Sequence, residues 1–369
     1  MEARWRELSD DLGPAKILLV RDAAAGLEGV VVVDNVAAGP AIGGVRMAPD
    51  VTVEEVVRLA RAMTFKNAAA GLPHGGGKAG ILADPAMGRA GKERLIRSFA
   101  RAIRTLTEYV PGPDMGTDEA CMGWVHDEIG RAVGLPAVLG GIPLDQIGAT
   151  GFGLAACAEA VQEAGHLRLQ GARVAVQGFG AVGRNAARFL AESGAVLVAA
   201  SDSGGAVVNP AGLDVDALAA FQAEGGKVGA FPGGSPIPRD DLLGVDCDVL
   251  IPAARPDVLT AGNADEVRAS VVLQGANIPA TAEAEALLHK RGVLSVPDFI
   301  ANAGGVICAA VEYRGGTPAQ AFALIREKVR ANTSEVLGRA PELGVLPREA
   351  AEELTHARVA EASGYRRTW

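Results

Sequence analysis

The sequence is poor in aromatic residues and in clustered positive charge. Aromatic side chains make up only 4% of its 369 residues, whereas 48 residues are glycine and 49% are hydrophobic. This bias is typical of closely packed α/β layers. Lysine and arginine are nowhere clustered among aromatic residues, and the formal net charge is −9, so we expect no nucleic-acid partner.

Long apolar runs and paired cysteines are also missing. No run approaches the roughly 18 residues of a membrane-spanning helix, and the first ten residues lack the apolar segment of a signal peptide, so we expect no membrane partner. The cysteines Cys121, Cys157, Cys247 and Cys308 are far apart and form no CxxC motif. This spacing argues against a metal site and a disulfide framework, and it favours a reducing cytoplasm.

The first third of the chain combines paired strands with an amphipathic helix. Apolar runs at 16–20 and 29–33, separated by a turn-rich stretch, predict two paired strands. Thr52, followed three residues later by Glu55, forms a capping box and predicts the start of a helix. Apolar residues recur after it at helical spacing, and this face extends to Lys66 near the helix end.

The pattern then changes twice along the chain. A loop is predicted over the glycine-rich residues 71–80, and a helix over about 92–108. From about residue 150, apolar segments alternate with helical ones, and each ends at a glycine or polar turn. Such alternation predicts a parallel sheet built from βαβ units, and the C-terminal residues return to helical periodicity. The predicted fold class is α/β with two domains.

A dinucleotide signature follows the apolar strand at 174–177. The GxGxxG motif has a strand before it and a helix after it, and it consists of Gly178, Phe179, Gly180, Ala181, Val182 and Gly183. Its glycines let the backbone approach a pyrophosphate at the helix N-terminus. Asp202 ends the next strand, where an acid bonds a ribose hydroxyl and repels a 2′-phosphate. NAD is therefore favoured over NADP, although NADP is not excluded. The alternative interpretation of the glycine motif is a tight strand–helix turn that binds no ligand.

Two lysines stand out from the solvated surface lysines. Lys66 lies on an apolar helix face, and Lys78 lies among Gly75, Gly76, Gly77 and Gly80. Burying an ammonium group is unfavourable unless an anion meets it or its pKa falls. A desolvated lysine of this kind can act as an acid–base group, and the glycines leave room for a substrate beside it.

Several long motifs resemble those of one enzyme family, the glutamate/leucine/phenylalanine/valine dehydrogenases. They occur in the family's order and span most of the chain. The matching stretches are GPAIGGVRM (39–47), MTFKNAAAGLPHGGGKAGI (63–81), PGPDMGT (111–117), GATGFG (148–153), QGFGAVG (177–183), QGANIPAT (274–281) and PDFIANAGGV (297–306).

The resemblance implies roles for individual residues. It matches Lys66 to the lysine that holds the substrate α-carboxylate, Lys78 to the catalytic lysine that activates water, and Asp114 to the aspartate that shuttles protons to the amino group. The other positions implied at the substrate are Ile42, Gly43, Gly44, Met63, Asn277, Asn302 and Ala309. Those implied at the cofactor, besides the glycine motif and Asp202, are Thr150, Ala253, Ala254 and Asn277. Without the resemblance, Asp114 is equally well a turn residue, Thr150 a helix N-cap and Asn302 a helix C-cap.

The side chain of the substrate is predicted from two departures. Glutamate dehydrogenases have a lysine at the position of Ile42 and a serine at that of Ala309, and both meet the distal carboxylate. A carboxylate placed against apolar side chains loses solvation without compensation. We therefore expect oxidative deamination of an apolar amino acid such as leucine, valine or phenylalanine to a 2-oxo acid and ammonia.

Two alternatives remain open. One is a glutamate dehydrogenase that uses another cation, such as Arg46, and segments 201–214 and 246–258 do resemble the glutamate branch. The other is a non-catalytic regulatory paralogue, against which the joint presence of Lys66, Lys78 and Asp114 argues.

The predicted organisation follows from these assignments. Residues 1–145, completed by the C-terminal helices 331–369, form the substrate-binding and oligomerisation domain, and 146–330 form the NAD(P)-binding Rossmann domain. The active site is expected in the cleft between the domains, and the resemblance implies a homo-oligomer.

Overall fold

The computed structural model describes residues 8–365, which divide into two compact units. The first unit runs to Leu144 and includes 306–321 and the residues from Thr355 onward, and the second comprises 145–305 and 322–354. Only the last part of the predicted 331–369 segment is thus grouped with the N-terminal residues.

The first unit is built on a five-stranded mixed sheet with the order β1-β2-β4-β3-β5. The strands are β1 (Lys16–Asp22), β2 (Leu27–Asn35), β3 (Ala41–Ala48), β4 (Gly75–Leu82) and β5 (Tyr109–Pro113). Strands β1 and β2 pair antiparallel, which confirms the predicted strand pair. Strand β3 lies between β4 and β5 and runs parallel to both.

Helices cover the sheet of the first unit through apolar faces. They are α1 (Val53–Ala69), α2 (Arg89–Ala102) and α3 (Glu119–Ile129). The Thr52 side chain caps α1 by accepting a hydrogen bond from the Glu55 N–H at 3.1 Å, which confirms the predicted helix start. Helix α2 ends six residues before the predicted boundary at 108, because 103–108 turn into β5.

The prediction of a loop over 71–80 is wrong for most of its length, because strand β4 begins at Gly75 and lies inside the sheet. The reason is close packing. A Cβ atom added to Gly76 would lie 2.0 Å from the backbone nitrogen of Thr64 in α1, and one added to Gly43 would lie 1.6 Å from the Gly77 carbonyl oxygen. Glycine therefore lets a helix and two strands approach each other here.

The second unit is built on a seven-stranded sheet with the order β12-β11-β10-β6-β7-β8-β9. Its strands are β6 (Arg173–Gln177), β7 (Val196–Asp202), β8 (Gly205–Val208), β9 (Ser235–Ile237), β10 (Val249–Pro252), β11 (Val271–Leu273) and β12 (Leu294–Val296). The five predicted strands pair parallel, as expected for βαβ units. Strands β8 and β9 were not predicted, and they extend one edge antiparallel.

The remaining helices are short, except near the C-terminus. They are α4 (Leu144–Ile147), α5 (Ala149–Glu163), α6 (Ala181–Glu192), α7 (Val215–Ala223), α8 (Ala282–Lys290), α9 (Asp298–Ala301), α10 (Gly304–Tyr313), α11 (Pro318–Leu343) and α12 (Pro347–Ser363). Within residues 8–365, no helix is long and apolar enough to cross a membrane. The same residues contain no cluster of His, Cys, Asp or Glu that could hold a metal ion, and all four cysteines are free and buried.

The close packing at Gly76 makes a testable prediction. Gly76→Ala should lower the free energy of unfolding by about 1–3 kcal/mol, because its methyl group collides with the backbone of α1. Gly91→Ala is the matched control. Gly91 lies inside α2, and the nearest atom to an added Cβ there is Met87 Sδ at 3.9 Å. This variant should therefore have a free energy of unfolding about 0.5–1 kcal/mol higher than the wild type, because alanine favours the helix over glycine. Urea denaturation of both variants measures the difference, and equal stabilities would contradict this account.

Candidate active site

A buried ion pair lies at one end of the first unit's sheet. Lys78, on β4, has 8% of its side chain exposed, and its Nζ lies 3.0 Å from Oδ2 of Asp114, which directly follows β5. Burial lowers the pKa of Lys78, although Asp114 opposes this. Burial acts to raise the pKa of Asp114, but the charges of Lys78 and Arg46 outweigh it and hold that pKa below its usual value. The pair thus combines an anionic carboxylate with a lysine that loses its proton more readily than a solvated lysine does.

Asp114 is also a turn residue, which confirms that interpretation of the sequence; its role as a proton shuttle stays a prediction. Its backbone N–H donates to Thr117 Oγ1 at 3.0 Å, and its carbonyl accepts from the Thr117 N–H at 3.0 Å. A Cβ on Gly44 would lie 2.7 Å from the Asp114 Cβ. Gly43 and Gly44 are therefore required by the fold around the ion pair, whatever else they contact.

The end of α1 is fixed next to β4. Asn67 is buried, and its Nδ2 donates to the Gly75 carbonyl at 2.7 Å. Lys66, the preceding residue, lies half-buried in the last turn of the helix, and Met63 is half-buried one turn earlier. The predicted carboxylate-binding lysine is thus held on an element that packs against the strand of Lys78.

The same unit contains a small apolar cluster. Ile42 and Ala309, which the sequence analysis singled out, pack with Val110 and Val133, and each of the four is less than 9% exposed. Ile42 lies opposite Val110 in the parallel ladder between β3 and β5. Val110 and Val133 were missed from the sequence. The available signal was strand alternation, since position 110 shares a face of β5 with positions 112 and 114.

A buried carboxylate holds together two of the segments that form this cluster. Glu312, on α10, accepts backbone hydrogen bonds from Leu135 at 2.9 Å and Ile142 at 3.0 Å. Burial raises its pKa, although these bonds oppose the change. Helix α10, which carries Ala309, is thereby tied to the segment that follows Val133.

The second unit holds the glycine motif at the end of β6. Gly178 has φ +95°, and a Cβ there would lie 2.7 Å from Ala254; a Cβ on Gly183 would lie 2.1 Å from the Gly178 carbonyl oxygen. Both glycines are therefore needed by the fold. Gly180 differs: its φ is −86°, and no atom lies within 4 Å of an added Cβ. Gly180 is also the N-cap of α6 and has no side-chain cap, so this surface fits a dinucleotide phosphate.

Asp202, the residue predicted to bind the ribose, already accepts two hydrogen bonds from backbone N–H groups. Asp202 accepts from the Gly204 N–H through Oδ1 at 2.7 Å and from the Val228 N–H through Oδ2 at 3.1 Å. A carboxylate oxygen has more than one acceptor direction, so a ribose hydroxyl can still bind. The role of Asp202 stays a prediction.

Two side chains hold the loop that follows β11. Asn302 caps the C-terminus of α9, and its Nδ2 donates to the Gly275 and Ala276 carbonyls at 3.2 and 3.1 Å. Its Oδ1 is buried, and within residues 8–365 no hydrogen-bond partner meets it. Asp298 accepts from the N–H of Ile278, whose φ of +48° is strained for a β-branched residue. The loop around Asn277 is therefore held in one geometry.

The remaining predicted cofactor residues also lie in the second unit. Thr150 is the second residue of α5, and the N-cap is Gly148, so the N-cap interpretation of Thr150 is wrong. Ala253 and Ala254 follow β10, and the Ala253 N–H donates to the Gln177 carbonyl at 2.7 Å. These two alanines therefore lie at the carboxyl ends of β6 and β10, where parallel sheets bind ligands.

Comparison with known proteins identifies the family. Residues 140–367 match the Glutamate/Leucine/Phenylalanine/Valine dehydrogenase family, and 14–131 match the Glu/Leu/Phe/Val dehydrogenase dimerisation domain. The chain belongs to this family. It is an NAD(P)-dependent amino-acid dehydrogenase, an oxidoreductase that acts on CH–NH2 donors.

The curated relatives include glutamate dehydrogenases of both cofactor types. A glutamate dehydrogenase of Thermotoga maritima is 42% identical, over 76% of this chain and 70% of its own. An NADP-specific glutamate dehydrogenase of Saccharolobus shibatae is 39% identical (76% and 69%), and a catabolic NAD-specific one of Bacillus subtilis is 40% identical (76% and 68%). These names favour the glutamate alternative over the apolar substrate expected from Ile42 and Ala309.

Solved structures of similar fold include dehydrogenases named for different amino acids. The hetero-hexameric glutamate dehydrogenase of Thermus thermophilus in a leucine-bound form has a TM-score of 0.85 and 32% identity, over 96% of this chain and 91% of that one. The L-tryptophan dehydrogenase of Nostoc punctiforme has a TM-score of 0.75 and 25% identity, over 98% and 99%.

The open space at Gly180 separates folding from cofactor binding. Gly180→Val should leave the thermal unfolding midpoint nearly unchanged but raise the dinucleotide Kd at least about tenfold, because its side chain fills the surface that the phosphates approach. Gly183→Val is the contrasting variant and should destabilise the fold. Fluorescence titration and thermal unfolding measure the two effects; an unchanged Kd for Gly180→Val would mean that the dinucleotide binds elsewhere.

Proposed function

We propose that this enzyme oxidatively deaminates an L-amino acid with an apolar side chain, such as leucine, valine or phenylalanine, to the 2-oxo acid and ammonia. The supporting observation is the buried cluster of Ile42, Val110, Val133 and Ala309 in the unit that carries Lys78 and Asp114. A methyl-bearing side chain gains by contact with such a surface. A carboxylate loses several kcal/mol of solvation there in principle, unless a cation meets it.

The side chains of the first unit divide the work of deamination. Lys66 binds the α-carboxylate. Asp114 accepts a proton from the amino group and later returns one to the leaving nitrogen. Lys78, whose pKa burial lowers, takes a proton from water as the water oxygen bonds to the imine carbon; the carbon–nitrogen bond then breaks and ammonia leaves. The charges are fixed by the fold before the substrate binds, so little reorganisation is needed.

The second unit supplies the cofactor site in this proposal. The glycine motif and the uncapped N-terminus of α6 would hold the pyrophosphate, and Asp202 would bond the adenosine ribose, which favours NAD. Thr150, Asn277 and Asn302 would contact the nicotinamide end and the substrate. When bound, the oxidised nicotinamide accepts the hydride from the substrate Cα. The match to a dimerisation domain supports a homo-oligomer.

Glutamate is the second candidate substrate, and the names of the curated relatives support it. It needs a cation for the distal carboxylate. Arg46, the cation considered for this role, is already bonded to Asp114 at 2.9 Å and to Glu55 at 2.5 Å. Binding glutamate through Arg46 would place a third carboxylate on a guanidinium that already neutralises two.

Turnover with a panel of L-amino acids, followed by NADH and NADPH absorbance, tests the substrate. We expect the highest kcat/KM with an apolar amino acid. Ile42→Lys should lower that value by about 10- to 100-fold and raise the value for glutamate, whereas Ile42→Leu, which conserves volume, should keep the order. Turnover by the wild type with glutamate alone would refute the apolar substrate, and no turnover with any amino acid would support a regulatory paralogue.

The role of Lys78 has its own test. Lys78→Ala should lower kcat by about 10²- to 10⁴-fold, the usual contribution of an acid–base group, and leave the dinucleotide Kd unchanged. Lys92→Ala is the control, since Lys92 lies on the surface of α2 and donates to a carbonyl of the preceding turn. A loss of dinucleotide affinity in Lys78→Ala would place this lysine at the cofactor instead.

A further inference from the structure

Two cations share one oxygen of Asp114. Its Oδ2 lies 3.0 Å from Lys78 Nζ and 2.9 Å from Arg46 Nε. Arg46 is on β3, the strand between those that lead to Lys78 and Asp114. Val45 lies opposite Pro113 in the β3–β5 ladder, so Arg46 and Asp114 are the next residues along these strands. The sheet register therefore fixes Arg46 against the carboxylate.

Arg46 is in turn held by a second carboxylate. Its Nη1 lies 2.5 Å from Oε1 of Glu55 in the first turn of α1, and its own side chain is only 16% exposed. The backbone N–H of Glu55 donates to the capping side chain of Thr52, whereas its carboxylate accepts from Arg46. With Nε on Asp114 and Nη1 on Glu55, the planar guanidinium has a fixed orientation.

We propose that Arg46, held by Glu55, is a positioning residue that fixes the Asp114 carboxylate against Lys78 and tunes the proton transfers of the pair. This inference rests on the proposed roles of Lys78 and Asp114. It assigns to Arg46 a part in the reaction of every substrate, rather than the recognition of one distal carboxylate.

The charges around Lys78 determine in which direction each one changes its pKa. Burial is the main reason why the pKa of Lys78 falls; the charge of Asp114 opposes the fall, Arg46 lowers the pKa further, and Glu55 raises it. Arg46 also lowers the pKa of Asp114. Tyr109 also faces Asp114; burial and the charge of Asp114 raise the pKa of Tyr109 well above its usual value, so it stays neutral. Removing the charge of Arg46 should therefore raise the pKa of Lys78, and removing the charge of Glu55 should lower it.

The pH dependence of kcat/KM for deamination tests the proposal, with whichever amino acid the wild type oxidises. Activity rises as Lys78 loses its proton. In Arg46→Gln the midpoint of this rise should move up by about one pH unit, because a neighbouring positive charge is lost. In Glu55→Gln it should move down, because a negative charge is lost. In Arg46→Lys the midpoint should stay near that of the wild type, because the positive charge remains. Its kcat should fall, because a lysine cannot reproduce the fixed hydrogen bonds from Nε to Asp114 and from Nη1 to Glu55.

Controls separate positioning from simple damage. Glu54→Gln removes a charge from the same turn of α1 without removing a partner of Arg46, and its midpoint should match the wild type. Thermal unfolding identifies any variant that fails to fold. A fall in kcat with an unmoved midpoint in Arg46→Gln, or shifts of equal sign in Arg46→Gln and Glu55→Gln, would overturn the proposal.

A readout that needs no turnover keeps this test independent of the proposed function. The rate at which acetic anhydride modifies Lys78, measured by mass spectrometry at a series of pH values, reports the titration of the amine directly. The same opposite shifts are expected in Arg46→Gln and Glu55→Gln. If the wild type oxidises no amino acid but these shifts occur, the proposed function fails and the electrostatic role of Arg46 stands; absent shifts overturn that role.

Discussion

The close approach of α1 to strand β4 is the constraint on which the candidate site depends. Side chains normally hold a helix and a sheet well apart, but Gly76 gives the backbone at Thr64 room to press against the strand. Lys78 follows two residues later on the same strand and becomes almost fully buried. The buried amine that the proposed chemistry requires is thus a consequence of missing side chains nearby.

A buried ammonium group requires compensation, and the structure provides it as a row of alternating charges. Lys78 meets Asp114, Asp114 meets Arg46, and Arg46 meets Glu55, which is 38% exposed and brings the row to solvent. Each inner charge has an opposite neighbour, so no ion is buried alone. The row nevertheless leaves Lys78 with a lowered pKa, because its burial outweighs the opposing charge of Asp114.

Elements whose pattern matches their own local physics could be predicted from the sequence. The apolar parallel strands, the glycine turn before α6 and the Thr52 cap all depend on neighbours in sequence, and all are present. Strand β4 could not be recognised, because its glycines are explained by atoms of α1, β2 and β5 that are distant in sequence. Likewise, Glu55 was expected to complete a capping box, yet its carboxylate bonds to Arg46. A nearby arginine on strand β3 outweighs a neutral backbone N–H as a partner for a carboxylate.

The substrate is harder to infer than the reaction, for a physical reason. The reaction depends on charges that the family motifs carry, whereas the substrate side chain would meet a few apolar contacts. Identity of about 40% is an average over some 290 aligned residues, and four positions contribute almost nothing to it. One of those positions can nonetheless change the preference by a factor of 10 to about 200, since a buried carboxylate and a methyl group need opposite surroundings. The names of relatives and the apolar cluster therefore bear on different questions. Shared ancestry predicts how the Cα–H and C–N bonds are broken, whereas in the proposed function Ile42, Val110, Val133 and Ala309 select the substrate side chain.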